Sequence, residues 1–307
     1  MLQTLLTIFP LFLIIFGATL VQKWKKLDSG WENILNKFAL NVGFPALIFS
    51  ALSKIELHLG DYSSLLVMNS GLLLGSFLIA FLIAKLLKLN KSLSRTLIFC
   101  LPFANTAYLG IPVVVQIYGE AALPTATLVT AIYLFWVFTL GIGILEHTQA
   151  HHEERAFKRT LMGLLKNPLL IAVVFGLLGA GLKVQFPVFI TKTLDMLAAS
   201  VTPLVLIVIG LFIGQSKIGK IREWLPVLGV ALCILGLFPG LLYLATFKLN
   251  LDSNFFFVSV IQAATPMAIT PFALAHHYQM DKSFIARCIV LSTVLSVFTI
   301  PLWSLVL

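Results

Sequence analysis

Ten apolar stretches follow one another along this chain, separated by short loops that carry most of the charge. A helix needs roughly 20 consecutive apolar residues to cross a bilayer, and most of the stretches reach that length. Only 11% of the residues are charged and 59% are hydrophobic, which excludes an ordinary soluble domain. We therefore predict an all-α polytopic membrane protein. Its predicted spans are residues 4–22, 34–52, 65–84, 97–116, 122–145, 168–182, 194–213, 224–247, 255–274 and 285–306.

Lysine and arginine are distributed unevenly between the loops. Sixteen of the 21 lie in odd-numbered loops and four in even-numbered loops. Because basic loops tend to stay in the cytoplasm, this bias places the odd-numbered loops there and both termini outside. The same loop residues account for the net charge of +9. The charge therefore indicates orientation in a lipid bilayer and not a nucleic-acid partner.

The fourth span contains residues that interrupt helices. Pro112 cannot donate a backbone hydrogen bond, and Gly110 eases unwinding just before it. Inside a bilayer an unwound segment persists only where it lines a cavity or packs against protein, so a break here is a candidate binding site. Pro112 would begin a new half-helix whose free N–H groups attract an anion, with Asn105 and Thr106 as further donors. The alternative is a structural kink, which proline and glycine also produce in membrane helices.

Prolines of the first half of the chain have partners in the second half at an almost constant offset. Each half contains five spans, an odd number, so the second half crosses the membrane in the opposite sense. The sequence thus predicts two inverted five-helix repeats, residues 1–146 and 168–307, joined by a cytoplasmic loop of residues 147–167. This architecture is typical of secondary transporters and favours the binding-site interpretation over the kink. The pairs are Pro10 with Pro168, Pro45 with Pro203 and Pro112 with Pro271, at offsets of 158, 158 and 159 residues.

The ninth span is the counterpart of the fourth. Pro266 and Pro271 interrupt it, and its polar groups near mid-membrane are Gln262, Thr265 and Thr270. Because the two spans run in opposite directions, we expect them to cross at their breaks, with half-helix ends facing a common centre. The predicted substrate site consists of Asn105, Thr106, Gly110, Pro112, Gln262, Thr265, Pro266, Thr270 and Pro271.

Spans two and seven form a second, lesser pair of interrupted spans, which is predicted to complete the cavity wall. Asp195 in span seven is a candidate for carrying a coupling proton, because a carboxylate inside a membrane is costly and usually functional. The alternative is that Asp195 reaches the interface or pairs with Lys192. Neither crossing span carries a carboxylate near its break, which argues against a carboxylate-based cation site there. The predicted wall residues are Asn41, Gly43, Pro45, Ser200, Thr202 and Pro203.

Catalytic and metal chemistry have little support in the sequence. His147, His151 and His152 could form a metal site, but a mixed-charge cytoplasmic loop explains them as well. The three cysteines lie in apolar spans without metal or redox spacing, so we expect buried thiols and no cofactor. An intramembrane protease would need paired aspartates, a serine with a histidine or lysine, or a metal-binding pair within the spans. We find none of these and predict that the chain is not an enzyme.

Two stretches resemble the auxin efflux carrier family. The similarity covers essentially the whole chain, and the short central loop resembles that of compact bacterial members, which implies the plasma membrane of a bacterium. The sequence departs from the plant pattern at Met267 and Ala268, where plant carriers tend to have a polar residue and a glycine. The residues that carry the resemblance are Asn105, Thr106, Gly110, Ile111 and Pro112, in the pattern N-T-x-x-x-G-I-P, and Ala264, Thr265, Pro266, Pro271, Phe272, Ala275 and Tyr278.

The resemblance implies a ten-helix fold, shared with bile-acid and sodium/proton carriers, in which spans four and nine cross. It implies a scaffold of spans one, two, six and seven, and a mobile core of spans three to five and eight to ten that moves as an elevator. It also implies transport of organic carboxylates such as indole-acetate, malate or malonate, with the carboxylate bound by Asn105, and the plant relatives favour a homodimer. A sodium- or proton-coupled carrier of bile-acid or antiporter type is the alternative within the same fold.

Overall fold

The computed structural model describes residues 2–25, 27–55, 62–148, 161–163, 165–216, 221–247 and 252–307. Within these ranges the chain is helical, as predicted, with one isolated β-bridge. Seven helices among the described residues are long and apolar enough to cross a membrane. They are Thr4–Lys25, Gly30–Leu52, Ser63–Leu86, Glu120–Thr148, Val188–Gln215, Trp224–Thr246 and Lys282–Val306.

Three of the predicted spans correspond to shorter apolar helices. The sixth is Pro168–Gly181, which has 14 residues. The fourth and ninth are interrupted, as their prolines predict, and their longer pieces are Thr106–Tyr118 and Ser253–Ala263. A broken helix inside a membrane needs partners for its free backbone groups, so these two elements are candidates for a functional site.

The α-helices are numbered here in chain order. They are α1 (Leu2–Lys25), α2 (Ser29–Phe38), α3 (Phe44–Leu52), α4 (Ser63–Leu86), α5 (Lys91–Cys100), α6 (Ile111–Tyr118), α7 (Leu123–Trp136), α8 (Ile142–Thr148), α9 (Pro168–Gly181), α10 (Val188–Gln215), α11 (Trp224–Leu232), α12 (Phe238–Thr246), α13 (Ser253–Ala263), α14 (Thr270–Leu274) and α15 (Lys282–Val306).

Wide π-type turns extend or join several of these helices into longer rods. In three cases the turn ends two residues before a proline, at Pro45, Pro112 and Pro239. A proline ring collides with the carbonyl four residues earlier in a regular α-helix. A turn with hydrogen bonds over five residues relieves this collision, so the helix continues past the proline. The turns described are Ala39–Gly43, Thr106–Gly110, Val137–Gly141 and Cys233–Leu237.

Glycines bring α1, α3, α9 and α10 into one closely packed group. At Gly210 of α10, an added Cβ would collide with the backbone carbonyl of Ile15 and lie 2.6 Å from the Cβ of Ala18 in α1. At Gly176 of α9, it would lie 2.9 Å from the Cβ of Leu52 in α3. Small residues at such crossings let helix backbones approach closely, which stabilises helix pairs inside a bilayer.

The other long helices pack around the ninth span. The Asn69 side chain of α4 donates to the hydroxyl of Ser259 in α13 at 2.8 Å, and both residues are fully buried. The indole of Trp303 in α15 donates to the Leu235 carbonyl at 2.8 Å. The interrupted helices lie where this second group meets the first.

Candidate functional site

The two interrupted helices meet at their breaks. An extended segment around Ala104 separates α5 from the helix that follows it, and a second one around Met267 separates α13 from α14. The two segments pair as an isolated antiparallel bridge between Ala104 and Met267. This pairing satisfies main-chain groups that would otherwise lack partners at membrane depth. Its hydrogen bonds run from the Asn105 N–H to the Pro266 carbonyl at 2.7 Å and from the Ala268 N–H to the Phe103 carbonyl at 2.9 Å.

The predicted position of the first break is wrong. Gly110 and Pro112 lie inside the continuous helix Thr106–Tyr118, because the wide turn lets the chain pass Pro112 without unwinding. The break lies earlier, at Pro102, and the helix restarts after Asn105. Pro112 is therefore not the first residue of a half-helix. A proline followed by an N-capping asparagine is the sequence signal for the true position.

Asn105 caps the restarted helix and is 4% exposed. Its Oδ1 accepts the N–H of Tyr108 at 3.3 Å. Its Nδ2 group and the N–H groups of Thr106 and Ala107 have no hydrogen-bond acceptor among the residues that the structure describes. These donors lie together at the positive end of a helix, an arrangement that suits an anion.

Gln262 connects the ninth span to the fourth and to α7. The side chain is fully buried, and its Nε2 donates to the Ala126 carbonyl at 3.1 Å. The Thr106 carbonyl and the Thr130 hydroxyl lie 3.4 and 3.5 Å from the same nitrogen. The Gln262 Oε1 is buried without a hydrogen-bond partner among the described residues. Gln262 therefore faces protein oxygens and not an open cavity.

Thr265 and Gly110 lie close together where the two broken elements meet. The fully buried Thr265 hydroxyl donates to the Gln262 carbonyl at 2.7 Å. A Cβ at Gly110 would lie 3.4 Å from the Thr265 Cγ2 methyl group. Thr270 begins α14 at the far end of the second break and is half-buried, and Pro271 follows it. The structure thus brings Asn105, Thr106, Gly110, Gln262 and Thr265 together, with Pro266 in the bridge.

Two cavities lie near the broken elements, one lined by Ile111 and Val115 of the restarted helix and the other by Phe272 of α14. The larger, about 620 Å³, has Lys54 on its wall, and the other, about 500 Å³, has Glu32. These two residues lie near opposite ends of the rod Gly30–Leu52, so the cavities lie toward opposite ends of that rod. Neither cavity is lined by Asn105, Thr106 or Gln262. The larger cavity is also lined by Ile111, Val115, Glu120, Asp195 and Thr202, and the smaller by Gln215, Phe272, Lys282 and Arg287.

Asp195 forms an ion pair at the larger cavity. Its Oδ1 accepts the Ser50 hydroxyl at 2.6 Å and the Lys54 ammonium at 3.1 Å. The two side chains of the ion pair are 53% and 56% exposed. The ion-pair partner is therefore Lys54, and the predicted alternative of a pair with Lys192 is wrong. The sequence gives no local signal for this partner, because Lys54 lies 141 residues away.

The other predicted wall residues lie mostly in helix contacts. Thr202 lines the larger cavity. Asn41 and Ser200 donate to carbonyls of their own helical rods, at 2.8 and 2.6 Å. A Cβ at Gly43 would lie 2.9 Å from the Val201 Cγ2 atom, so this glycine allows α10 to pack closely. The remaining two are helical residues, Pro45 in α3 and Pro203 in α10.

Ser292 is a polar residue at the crossing that sequence reasoning missed. Its hydroxyl accepts the Met267 N–H at 3.1 Å, next to the bridge, and the side chain is fully buried in α15. Serine is common in membrane helices, so nothing in the local sequence distinguishes this position.

The described residues contain no group of three or more His, Cys, Asp or Glu side chains that could hold a metal ion. His151 and His152, from the alternative metal site, lie outside the described residues. Cys100 and Cys288 are buried free thiols, and Cys233 is half-buried.

A bundle of membrane-spanning helices in which two interrupted helices meet, with free donors at a helix start and cavities near the broken elements, has the features of a membrane transporter. Comparison with known proteins agrees. The profile of the family described as "Membrane transport protein" matches residues 4–304. The chain therefore belongs to this family, that of the auxin efflux carriers, and is an integral membrane transporter.

Several relatives match over most of their length. A protein named "Uncharacterized transporter" from Methanothermobacter thermautotrophicus is 30% identical, over 89% of this chain and 88% of the relative. "Auxin efflux carrier component 8" of Arabidopsis thaliana is 25% identical, with 86% of each chain covered. A "Putative malonate transporter" of Rhizobium meliloti is 22% identical, over 95% of this chain and 92% of the relative.

Proposed function

We propose that this transporter is a secondary carrier that moves small organic carboxylate anions by elevator-type alternating access. The substrate carboxylate binds at the crossing of the two broken helices. The observation that carries this proposal is the set of free donors at this helix start: the Asn105 Nδ2 and the N–H groups of Thr106 and Ala107 have no acceptor among the described residues. A carboxylate accepts such hydrogen bonds and gains from the positive end of the helix.

The names of two relatives support the substrate class. Auxin and malonate differ in size and shape, but both carry carboxylates, so the feature that a common site would bind is the carboxylate itself. The rest of the substrate would extend from the crossing toward one of the two cavities, neither of which is lined by Asn105 or Thr106. Their volumes of about 500 and 620 Å³ are sufficient for a small organic acid.

The proposed architecture is ten membrane-spanning segments in two inverted five-helix repeats. The glycine-mediated packing of α1, α3, α9 and α10 supports a scaffold made from spans one, two, six and seven. The other spans, including both broken helices, form the mobile core. We place the chain in the plasma membrane of a bacterium with both termini outside, on the basis of loop charge, and as a homodimer by analogy with plant relatives.

The test is electrical current in proteoliposomes exposed to a panel of mono- and dicarboxylates, with and without sodium. Some carboxylates are expected to give currents in the wild type. In Asn105→Ala, loss of a hydrogen bond to a charged group costs about 1.5–3 kcal/mol, so the substrate affinity should fall roughly 10- to 100-fold.

Asn90→Ala is the matched control, because Asn90 caps α5 through its Oδ1 and the Leu93 N–H at 2.9 Å. Both variants lose a helix cap, but only Asn105 lies at the crossing. The control should keep the wild-type affinity. Unchanged affinity in Asn105→Ala would contradict the assignment, and silence across the panel with folded protein would contradict electrogenic carboxylate transport.

A further inference from the structure

The side-chain amide of Gln262 lies among oxygen atoms from two other helical segments. The Ala126 carbonyl, the Thr106 carbonyl and the Thr130 hydroxyl are 3.1, 3.4 and 3.5 Å from its Nε2. This nitrogen has two hydrogens, so it cannot make three separate strong hydrogen bonds. The arrangement is thus one weakly positive group surrounded by several oxygens.

Carbonyl and hydroxyl oxygens gathered around one point inside a membrane are also the ligands that transporters use to hold sodium. Oxygen atoms that point at one position in a low-dielectric interior favour a positive group there, although the Thr106 carbonyl also accepts the Ile111 N–H of its own helix. Here the amide hydrogens of Gln262 supply the positive charge. The position between the oxygens, which a sodium ion would otherwise fill, is therefore filled by a side chain of the protein itself.

The orientation of the amide supports this interpretation. The Gln262 Oε1 is buried and has no partner in the part of the chain that the structure describes, whereas Nε2 has three oxygen neighbours. Reversing the amide would bring an oxygen against the two carbonyls and leave the Thr130 hydroxyl as the one neighbour able to donate to it. The oxygen cluster therefore determines which end of the amide enters it, although this leaves Oε1 unsatisfied.

We propose that the Gln262 amide permanently occupies the position of a monovalent cation between the fourth span, α7 and the ninth span. The carrier then requires no sodium to hold the crossing together. This inference rests on the proposed function only in treating the crossing as the transport site. It assigns Gln262 a positioning role and not contact with the substrate.

The test is to convert the position into a cation site by Gln262→Glu. A carboxylate adds negative charge to the oxygen cluster, so sodium should bind there and stabilise the fold. The melting temperature of the purified protein is measured in sodium chloride and in choline chloride at equal ionic strength. We expect a saturable rise of roughly 5 °C in sodium for the variant, and no difference between the two salts for the wild type.

Asn69→Asp is the matched control, because Asn69 is an equally buried amide with an unpartnered Oδ1. Its Nδ2 contacts one carbonyl, Leu65 in its own helix, and the Ser259 hydroxyl. Sodium should not raise the melting temperature of Asn69→Asp above its value in choline chloride. If Gln262→Glu fails to fold, Gln262→Ala replaces it, since an emptied position should also admit sodium and show the saturable rise.

Three results would overturn the proposal. They are a saturable rise of the wild-type melting temperature in sodium, an unchanged melting temperature of the folded Gln262 variant in sodium, and an equal rise for Asn69→Asp. The measurement contains no substrate. A failure of carboxylate transport and a failure of this inference are therefore distinguishable.

Discussion

Tyr108 joins the proposed anion site to the opposing helical rod. Its N–H is held by the Asn105 cap, its ring stacks on Phe44 with centroids 5.2 Å apart, and its phenol donates to the Asn36 side chain. If the fourth span moves against the second, this hydrogen bond has to break. A residue three positions from Asn105 is therefore suited to control how readily the proposed site moves.

Tyr108→Phe tests this role, because it removes the hydrogen bond to Asn36 and retains the aromatic ring. A hydrogen bond of this kind contributes about 0.5–1.5 kcal/mol, so the maximal transport rate should rise roughly 2- to 10-fold while substrate affinity stays constant. Rate and affinity are measured separately, by transport in proteoliposomes and by binding to detergent-solubilised protein.

Tyr118→Phe is the control at the other end of the same helix. Tyr118 stacks on Phe257, and its hydroxyl has no hydrogen bond among the described residues. This variant should transport at the wild-type rate. Weaker substrate binding in Tyr108→Phe with an unchanged rate would instead assign the phenol to the substrate site.

Individual residues of the site were partly predictable from the sequence. Asn105 and Thr106 stand out because polar groups are costly in an apolar span. Pro102 marks the true break, but three prolines and glycines in one span compete as break points, and only the three-dimensional fit of a wide turn shows which are tolerated. The pairing of Asp195 with Lys54 depends on how two distant helices pack, which composition and spacing do not reveal.

At the scale of elements, close glycine contacts determine how the helices of the proposed scaffold pack. Gly210→Ala places a methyl group against the Ile15 carbonyl and 2.6 Å from the Ala18 Cβ, with backbone on both sides. Overpacking of this kind costs about 1–3 kcal/mol, so the melting temperature should fall by several degrees. Thermal unfolding in detergent is the measurement.

Gly71→Ala is the matched change in an open position. An added Cβ at Gly71 has no neighbour within 4 Å, and alanine favours helix over glycine. Its melting temperature should be equal to that of the wild type or slightly higher. Equal destabilisation by both changes would show that alanine is disfavoured for reasons other than the contact between α1 and α10.

Elements were more predictable than their local geometry. Long uncharged stretches specify the membrane helices because length and apolarity determine insertion. Proline was less informative, since Pro112 and Pro45 are accommodated by wide turns while Pro102 and Pro266 lie in true breaks. The difference depends on whether the preceding turn can widen and whether a partner satisfies the backbone, and both are properties of the packed molecule.

For the whole molecule, loop charge predicts an orientation that single cysteines can test. Lys91 and Lys192 are exposed and belong to predicted loops on opposite sides of the membrane. In a background with Cys233→Ala, the remaining native cysteines are buried. A membrane-impermeant maleimide should label Lys192→Cys in intact cells, and Lys91→Cys only after permeabilisation. The reverse pattern would invert the orientation, and labelling of both from one side would contradict the proposed number of spans.

The bridge between Ala104 and Met267 also bears on how such a transporter can change over generations. Its two hydrogen bonds involve only main-chain atoms, so they do not depend on which side chains occupy those positions. Substitutions there can alter the shape and polarity around a bound substrate while the crossing itself persists. One architecture can thus acquire new cargo by small mutational steps, without first losing the contact that holds its centre together.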